Sequence, residues 1–181
     1  MSELIPRIEM RQIQDDQDVR RFSDFTAAHP EFYEDTGFDQ WLETKMVPRL
    51  ESGQSAGVVV YGDGLEVAGA LALYTDPAER SVEFKLFRVA GAYQQSGIGP
   101  LLFRAGEILG MRKLGLDPGD SADLQLDTRA ENRPATAFFA SRGCRAVGKA
   151  ALYTPGVMDV RFSKDIRLPD DPGHALYRPT M

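Results

Sequence analysis

The spacing of apolar residues predicts that the chain begins with a strand and two helices. Residues 7–13 alternate between apolar and polar side chains, which is the period of a half-buried strand. Residues 15–28 repeat apolar side chains at helical spacing, and Asp15 or the aspartate after it can cap that helix. Residues 38–50 repeat the helical pattern, and Pro48 predicts a kink or an early end because proline breaks the helical hydrogen bonding.

The middle of the chain predicts three strands and one further helix. Residues 56–61 and 65–74 are apolar runs joined by Gly62-Asp63-Gly64, a tight hairpin turn in which glycine supplies positive φ angles. Residues 80–89 form the third strand, since they are rich in β-branched and aromatic side chains. A glycine turn at residues 94–99 follows, and apolar residues then recur at helical spacing.

The remaining residues predict a strand at 124–128, a helix at 131–142 capped by Gly143, and a closing strand pair at 145–153 and 157–166. The resulting order, βααβββαβαββ, favours the α+β (mixed α/β) class, with a central mixed, mostly antiparallel sheet flanked by helices. A fully parallel, doubly wound sheet is disfavoured because it needs a helix between most of its strands. We expect one domain over residues 1–166 and an irregular, proline-rich tail over 167–181.

Composition narrows the class of protein. The chain has 181 residues, 43% of them hydrophobic and 27% charged, with a net charge of −6. Those values predict a soluble globular protein and argue against nucleic acid as a partner, which would need a basic face. No run of about eighteen apolar residues predicts a membrane span, and no signal peptide is expected at the start. Cys144 is the single cysteine, so a reducing cytoplasm is the expected compartment, and the two histidines lack metal-ligand spacing, so no metal site is expected.

The glycine turn at residues 94–99 predicts an anion site, because two glycines and a helix N-terminus bring free N–H groups together. A dinucleotide fingerprint would need a third glycine where Leu102 stands, and a phosphate-binding Walker loop would need a lysine where Pro100 stands. A purely structural turn before a helix is the alternative.

Two segments together resemble the GCN5-related N-acetyltransferase (GNAT) family. Gln94-x-x-Gly97-x-Gly99, after the strand ending Phe87-Arg88-Val89, is similar to that family's acyl-CoA signature. About thirty residues later, Asn132-x-x-Ala135-x-x-Phe138-Phe139-x-x-x-Gly143-Cys144 resembles its second conserved segment. The order of elements also matches over residues 7–166. The resemblance implies a GNAT-like fold that binds acyl-CoA at the turn between the fourth strand and the third helix.

The resemblance also implies an acetyl-CoA-dependent N-acetyltransferase that moves an acetyl group to a primary amine of a small molecule or peptide. The N–H groups of the glycine turn would hold the pyrophosphate, the strand before it would pair with the pantetheine amides, and the later segment would flank the pantetheine arm. Arg104, Arg133 or Arg142 could meet the nucleotide phosphate, although the favoured interpretation of any one of them is an ordinary solvated helix charge. The implied acyl-CoA-binding residues are Phe87, Arg88, Val89, Gln94, Gln95, Ser96, Gly97, Ile98, Gly99, Leu101, Asn132, Phe138 and Phe139.

The sequence offers candidates for the catalytic groups. Pro100 removes one N–H from the implied cradle, and Phe139 stands where many members of the family carry a tyrosine that protonates the leaving thiolate. Glu83 is the candidate general base; alternatively it pairs with Lys85, two positions away on the same strand face. Tyr153 or ordered water is the candidate general acid. Cys144 is expected in the core rather than as a nucleophile, so transfer should be direct.

The acceptor is not identified by the sequence. Carboxylates and aromatic residues at 29–38 could hold a cationic amine, or could form a solvated loop between helices. The closing strands and the tail could form the interface of a homodimer. The alternative function is a non-catalytic acyl-CoA-binding or regulatory module on the same fold, which the phenylalanine at 139 favours.

Overall fold

The computed structural model describes residues 8–28, 37–62 and 66–170. The tip of the predicted hairpin turn, residues 29–36 of the predicted acceptor region at 29–38, and the tail from residue 171 lie outside the described residues. Phe38, the last residue of that region, is buried in a core. Within the described ranges the chain forms seven strands and five α-helices. Their bounds are β1 (Glu9–Gln12), α1 (Asp16–Ala27), α2 (Phe38–Trp41), α3 (Val47–Glu51), β2 (Ala56–Tyr61), β3 (Val67–Asp76), β4 (Ser81–Val89), α4 (Ile98–Lys113), β5 (Ser121–Arg129), α5 (Arg133–Ser141), β6 (Arg145–Ala150) and β7 (Asp159–Arg167).

The strands form one sheet in the order β1-β2-β3-β4-β5-β7-β6. Neighbours are antiparallel except β4 and β5, which are parallel because α4 carries the chain from the end of one to the start of the other. The predicted α+β class with a mixed, mostly antiparallel sheet is therefore confirmed.

Helices cover both faces of the sheet and produce two apolar cores. On one face α4 and α5 pack over the central strands around Phe84, Phe103 and Leu124. On the other face α1 to α3 pack over β2 and β3 around Phe22, Met46 and Val59. On this second face, β5 and β7 contribute no residue to the apolar core. The residues of β5 that face this side are polar, and they alternate with Leu124 and Leu126, which are buried in the core on the first face.

The kink predicted at Pro48 takes the form of a π-helical turn, Leu42–Met46, between α2 and α3. A proline ring inside a regular helix presses on the carbonyl four residues earlier, and the wider π turn relieves that contact. The helix then continues as α3 to Glu51, so no early end occurs.

Cap residues set the ends of α1 and α5. Asp15 caps α1, with its carboxylate accepting from the Asp18 N–H at 2.8 Å, as predicted. The helix predicted from residue 131 starts at Arg133 because Asn132 is its cap. Gly143, at φ +84°, ends it as predicted. The sixth strand ends at Ala150, three residues earlier than predicted.

None of the helices in the described part of the chain has both the length and the apolar character needed to cross a bilayer.

Candidate functional site

β4 and β5 separate halfway along their length. They pair only where Ser81–Phe84 lie beside Asp123–Leu126. Beyond that point β4 stays with β3 as far as Val89, while β5 stays with β7 as far as Arg129. The gap between residues 85–89 of β4 and residues 127–129 of β5 is called the fork below.

A β-bulge in β4 lies where the fork begins. Leu73 pairs with Phe84 and Ala72 with Leu86, which leaves Lys85 as the extra residue. A bulge bends its strand and increases the local twist, so it turns β4 away from β5. The Ala90 N–H donates to the Ala68 carbonyl. Because hydrogen-bonded pairs alternate in an antiparallel ladder, the N–H and C=O groups of Phe87 and Val89 point into the fork.

The glycine turn closes one end of the fork at the N-terminus of α4. Gln95 has φ +62° and Gly97 has φ +87°, so both lie in the left-handed region. A Cβ placed on Gly97 would meet nothing within 4 Å, so the turn is open on that side. The N–H groups of Ile98 and Gly99 belong to the first turn of α4, where no helical carbonyl precedes them. These groups and the helix dipole make the turn suitable for a phosphate.

Other residues that were predicted to bind the pyrophosphate already have hydrogen-bond partners within the protein. The Leu101 N–H donates to the Gly97 carbonyl at 3.3 Å, and the Ser96 hydroxyl donates to the Tyr93 carbonyl at 2.5 Å. The Gln94 amide reaches the Val89 carbonyl at 3.5 Å. Pro100 is the third residue of α4 and supplies no N–H. The N–H groups of Ile98 and Gly99 therefore remain as donors to an anion at the start of α4.

Gly99 has a different function from Gly97. A Cβ on Gly99 would lie 3.3 Å from the Phe138 ring, so the missing side chain makes room for an aromatic residue of α5. Phe138 in turn stacks on Phe87 with ring centroids 5.4 Å apart. The two rings join the end of β4 to α5 and form the aromatic wall of the fork on the α4 side.

Phe139 lies deeper than Phe138. It is 5% exposed, and its ring packs against those of Phe87, Phe103 and Phe162. Asn132 caps α5 by accepting from the Ala135 N–H at 3.2 Å, so its amide oxygen is already used. Phe138 and the amide NH₂ of Asn132 are thus the parts of this segment best placed to flank a ligand.

Glu83, the predicted base, lies on the opposite face of the sheet from this wall. The Lys85 ammonium is 2.5 Å from its carboxylate, and both side chains are about three-quarters buried. Lys85 and Arg49 of α3 also lie over the Tyr74 ring, at 5.4 and 4.6 Å from its centroid. The ion pair that the sequence offered as the alternative for Glu83 therefore forms.

Tyr153, the predicted acid, is held by a group that the sequence did not single out. Its hydroxyl donates to Asp127 at 3.0 Å, and Arg161 donates two further bonds to the same carboxylate at 2.8 and 2.9 Å. Desolvation around the hydroxyl and the negative charge of Asp127 raise the pKa of Tyr153 above its ordinary value. Only its place as a charged residue directly after the buried Leu126 could have marked Asp127 from sequence, since Arg161 is 34 residues away.

The remaining candidates take structural positions. Cys144 is 5% exposed, and burial raises its pKa to about 11, so the thiol is poorly suited as a nucleophile. Arg104 donates to the buried Glu107 at 2.8 Å, whereas Arg133 is exposed at the start of α5 and Arg142 lies over the Phe138 ring. In residues 8–28, 37–62 and 66–170, no group of three His, Cys, Asp or Glu side chains is arranged to hold a metal ion.

Comparison with known proteins finds similarity in structure alone. No family model matches the sequence, and no curated protein matches it. Solved structures do match. An acetyltransferase of the GNAT family from Staphylococcus aureus Mu50 superposes with a TM-score of 0.68 at 16% identity, over 89% of this chain and 100% of that one.

Two other similar structures are of acetyltransferases named after the compound they act on. Spermidine N-acetyltransferase from Vibrio cholerae, in complex with CoA and spermine, has a TM-score of 0.65 at 16% identity over 87% of this chain and 95% of that one. Nourseothricin acetyltransferase has a TM-score of 0.55 at 23% identity over 64% and 67%. Together with the sheet order, these matches show that the chain has the GNAT fold.

Proposed function

We propose that the protein is an acyltransferase that moves an acetyl group from acetyl-CoA to a primary amine of a small molecule or peptide. The observation that carries the proposal is the fork, which combines outward backbone groups on β4 with the open glycine turn at the start of α4. An extended pantetheine can add to the β4 edge as a further strand does, while the pyrophosphate occupies the helix N-terminus.

The chain supplies the means for direct transfer. The amine nitrogen attacks the thioester carbonyl carbon, the C–S bond breaks, and coenzyme A leaves as its thiolate. A backbone N–H at Phe87 or Val89 is positioned to donate to the oxyanion, because both residues point their polar groups into the fork. The amine must be neutral to attack, so Glu83 accepts its proton directly or through water.

Tyr153 and solvent are the two candidate proton donors to the thiolate. Phe139 has no proton to give, and Tyr153 already donates its proton to Asp127. Solvent therefore remains the simplest donor, and a thiolate, whose ordinary pKa is about 8.5, can also leave without assistance.

The polar sheet face around Glu83 is the proposed acceptor side. It lies across the sheet from the aromatic wall and between α3 and the loop that carries Tyr153. A polyamine is a reasonable first acceptor to test, since the Vibrio cholerae neighbour is solved with spermine. The predicted contribution of residues 29–38 stays a prediction.

Calorimetric titration with acetyl-CoA tests the donor site, and thiol release tests turnover. We expect binding at micromolar ligand, and thiol release with at least one of spermidine, spermine, an aminoglycoside, lysine or a lysine peptide. Absence of binding at millimolar acetyl-CoA would contradict the proposal as a whole.

A non-catalytic acyl-CoA-binding module is the second candidate. It is favoured by the state of the two positions considered for the general acid in the described part of the chain: Phe139 is a buried apolar side chain, and the Tyr153 proton is donated to Asp127. Binding of acetyl-CoA with no thiol release across the acceptor panel would select it, and turnover on any amine would remove it.

The cellular context is also a proposal. We expect a cytoplasmic protein, and a homodimer could form through β6, an edge strand whose residues are all exposed. Exposed apolar side chains lie within β6 at Val147 and in the loop after it at Leu152 and Met158. Sedimentation equilibrium measures the oligomeric state.

A further inference from the structure

The hydrogen bond between Tyr153 and Asp127 has a fixed direction. The Asp127 side chain is 3% exposed and receives two bonds from the Arg161 guanidinium. Such a paired carboxylate is ionised and can only accept. The Tyr153 hydroxyl must therefore donate its single proton to Asp127, which leaves the oxygen lone pairs of the phenol as the group it can offer to a ligand.

The position of this hydroxyl relates it to Glu83. Asp127 is the first residue of β5 after its pairing with β4 ends, and Glu83 lies opposite Gln125, two residues earlier on the same face. With strands about 4.8 Å apart and a rise of about 3.4 Å per residue, the Cα atoms of Glu83 and Asp127 are about 8 Å apart. Burial is the main cause of the raised pKa of Tyr153, and the hydrogen bond to Asp127 is the main cause of the raised pKa of Arg161; the Glu83 charge adds a smaller increase to both.

We propose that Tyr153 orients the acceptor amine: its phenol oxygen accepts a hydrogen bond from an amine N–H while Glu83 accepts the proton that the amine loses. Asp127 and Arg161 are positioning residues that hold the phenol with its lone pairs toward the acceptor. The proposal rests on the proposed acetyltransferase function and deepens it by assigning Tyr153 to acceptor recognition.

This role agrees better with the geometry than proton donation to the thiolate does. Donation would create a phenolate beside the Asp127 carboxylate, two negative charges within hydrogen-bond distance. Acceptance from an amine leaves the phenol neutral and keeps the bond to Asp127. Tyr153 is also accessible to a substrate, because it is 55% exposed even though its hydroxyl is held by Asp127.

Steady-state kinetics of Tyr153→Phe test the assignment. The amine of the panel named above with the fastest thiol release serves as the probe. Loss of one hydrogen bond to a neutral acceptor group should raise the KM for the amine by about 2- to 12-fold, with kcat changed by less than twofold. Acetyl-CoA affinity, measured separately by calorimetry, should not change. Leu152→Ala, a neighbouring exposed side chain, is the matched control and should alter none of these values.

A double-mutant cycle tests the positioning role. Asp127→Asn presents an NH₂ group to the phenol oxygen, which can turn the phenol proton toward the acceptor. We expect it to raise the KM for the amine as Tyr153→Phe does. The KM of the double variant should be no higher than that of either single variant. Thermal unfolding is measured for each variant; if Asp127→Asn does not fold, Tyr153→Phe decides alone.

Three results would overturn the inference. Tyr153→Phe could lower kcat with an unchanged KM, which would indicate a general acid, or it could change neither value. Acetyl-CoA could also bind with no amine in the panel turned over, which would select the non-catalytic module and overturn the inference together with the acetyltransferase function. Failure of acetyl-CoA itself to bind would contradict the donor site on which both proposals rest.

Discussion

The Lys85 ammonium lies 2.5 Å from the Glu83 carboxylate, and the β4 bulge is adjacent to this pair. At the bulge Lys85 and Leu86 both face the α1–α3 side, where Lys85 reaches Tyr74 and Leu86 enters the core. The same distortion that opens the fork therefore supplies a cation to the candidate base. To accept a proton from the amine, the Glu83 carboxylate must give up part of its contact with Lys85 and form a hydrogen bond to the amine instead.

The first prediction is that Glu83→Gln lowers turnover and flattens the acid limb of the pH–rate profile. The amide keeps the size of the side chain and removes its capacity to take a proton. We expect kcat/KM to fall by about 10²- to 10⁴-fold, the usual contribution of a general base. Lys85→Gln is the matched control, because it breaks the same ion pair and leaves the carboxylate, so its acid limb should remain. A Glu83→Gln profile with the wild-type shape would assign Glu83 to structure alone.

The elements that carry strong periodicity were predictable, and their meeting points were less so. Alternation and helical spacing gave each strand and helix to within a few residues, because one buried face constrains each of them. The fork depends on where parallel pairing stops, and that follows from an extra residue at Lys85 whose presence no local pattern indicates. The bond from Arg161 to Asp127 depends on the register of β5 with β7, which tertiary packing decides.

The second prediction concerns the left-handed turn at Gly97. At φ +87° an alanine is strained by about 1–2 kcal/mol, so Gly97→Ala should distort the turn and raise the Kd for acetyl-CoA by about 5- to 30-fold. Gly91→Ala is the matched control in the same loop, because Gly91 has no positive φ and an added Cβ meets nothing within 4 Å. Calorimetry measures both. Equal affinities for the two variants would show that the turn does not hold the donor.

The third prediction concerns the buried Glu107, which is 2% exposed and accepts from Lys164 at 2.5 Å and Arg104 at 2.8 Å. Lys164→Met leaves the carboxylate with one cation and should lower the free energy of unfolding by about 2 kcal/mol. Urea denaturation at neutral pH measures the change. Lys149→Met, on the exposed strand β6, should lower the free energy of unfolding by less than about 0.5 kcal/mol, as is usual for a surface substitution. Equal losses would mean that the ion pair does not join α4 to β7.

The last prediction uses the pKa of Cys144, which burial raises from 9.0 to about 11. Well below pH 9 the thiol is protonated in both the folded and the unfolded chain, so it adds no pH dependence there. Between pH 9 and 11 the unfolded chain loses the proton first, and the folded state is destabilised as pH rises. The full shift corresponds to about 2–3 kcal/mol.

Cys144→Ala removes this titration and leaves the tyrosines that also ionise at alkaline pH. The difference in unfolding free energy between wild type and Cys144→Ala should therefore fall steadily from pH 8.5 to pH 11. A thiol reagent offers an independent measurement, since a 5% exposed cysteine should react at the rate of unfolding rather than at that of a free thiol. A constant difference across that range, or rapid labelling of the native protein, would contradict a buried thiol in the core beneath α5.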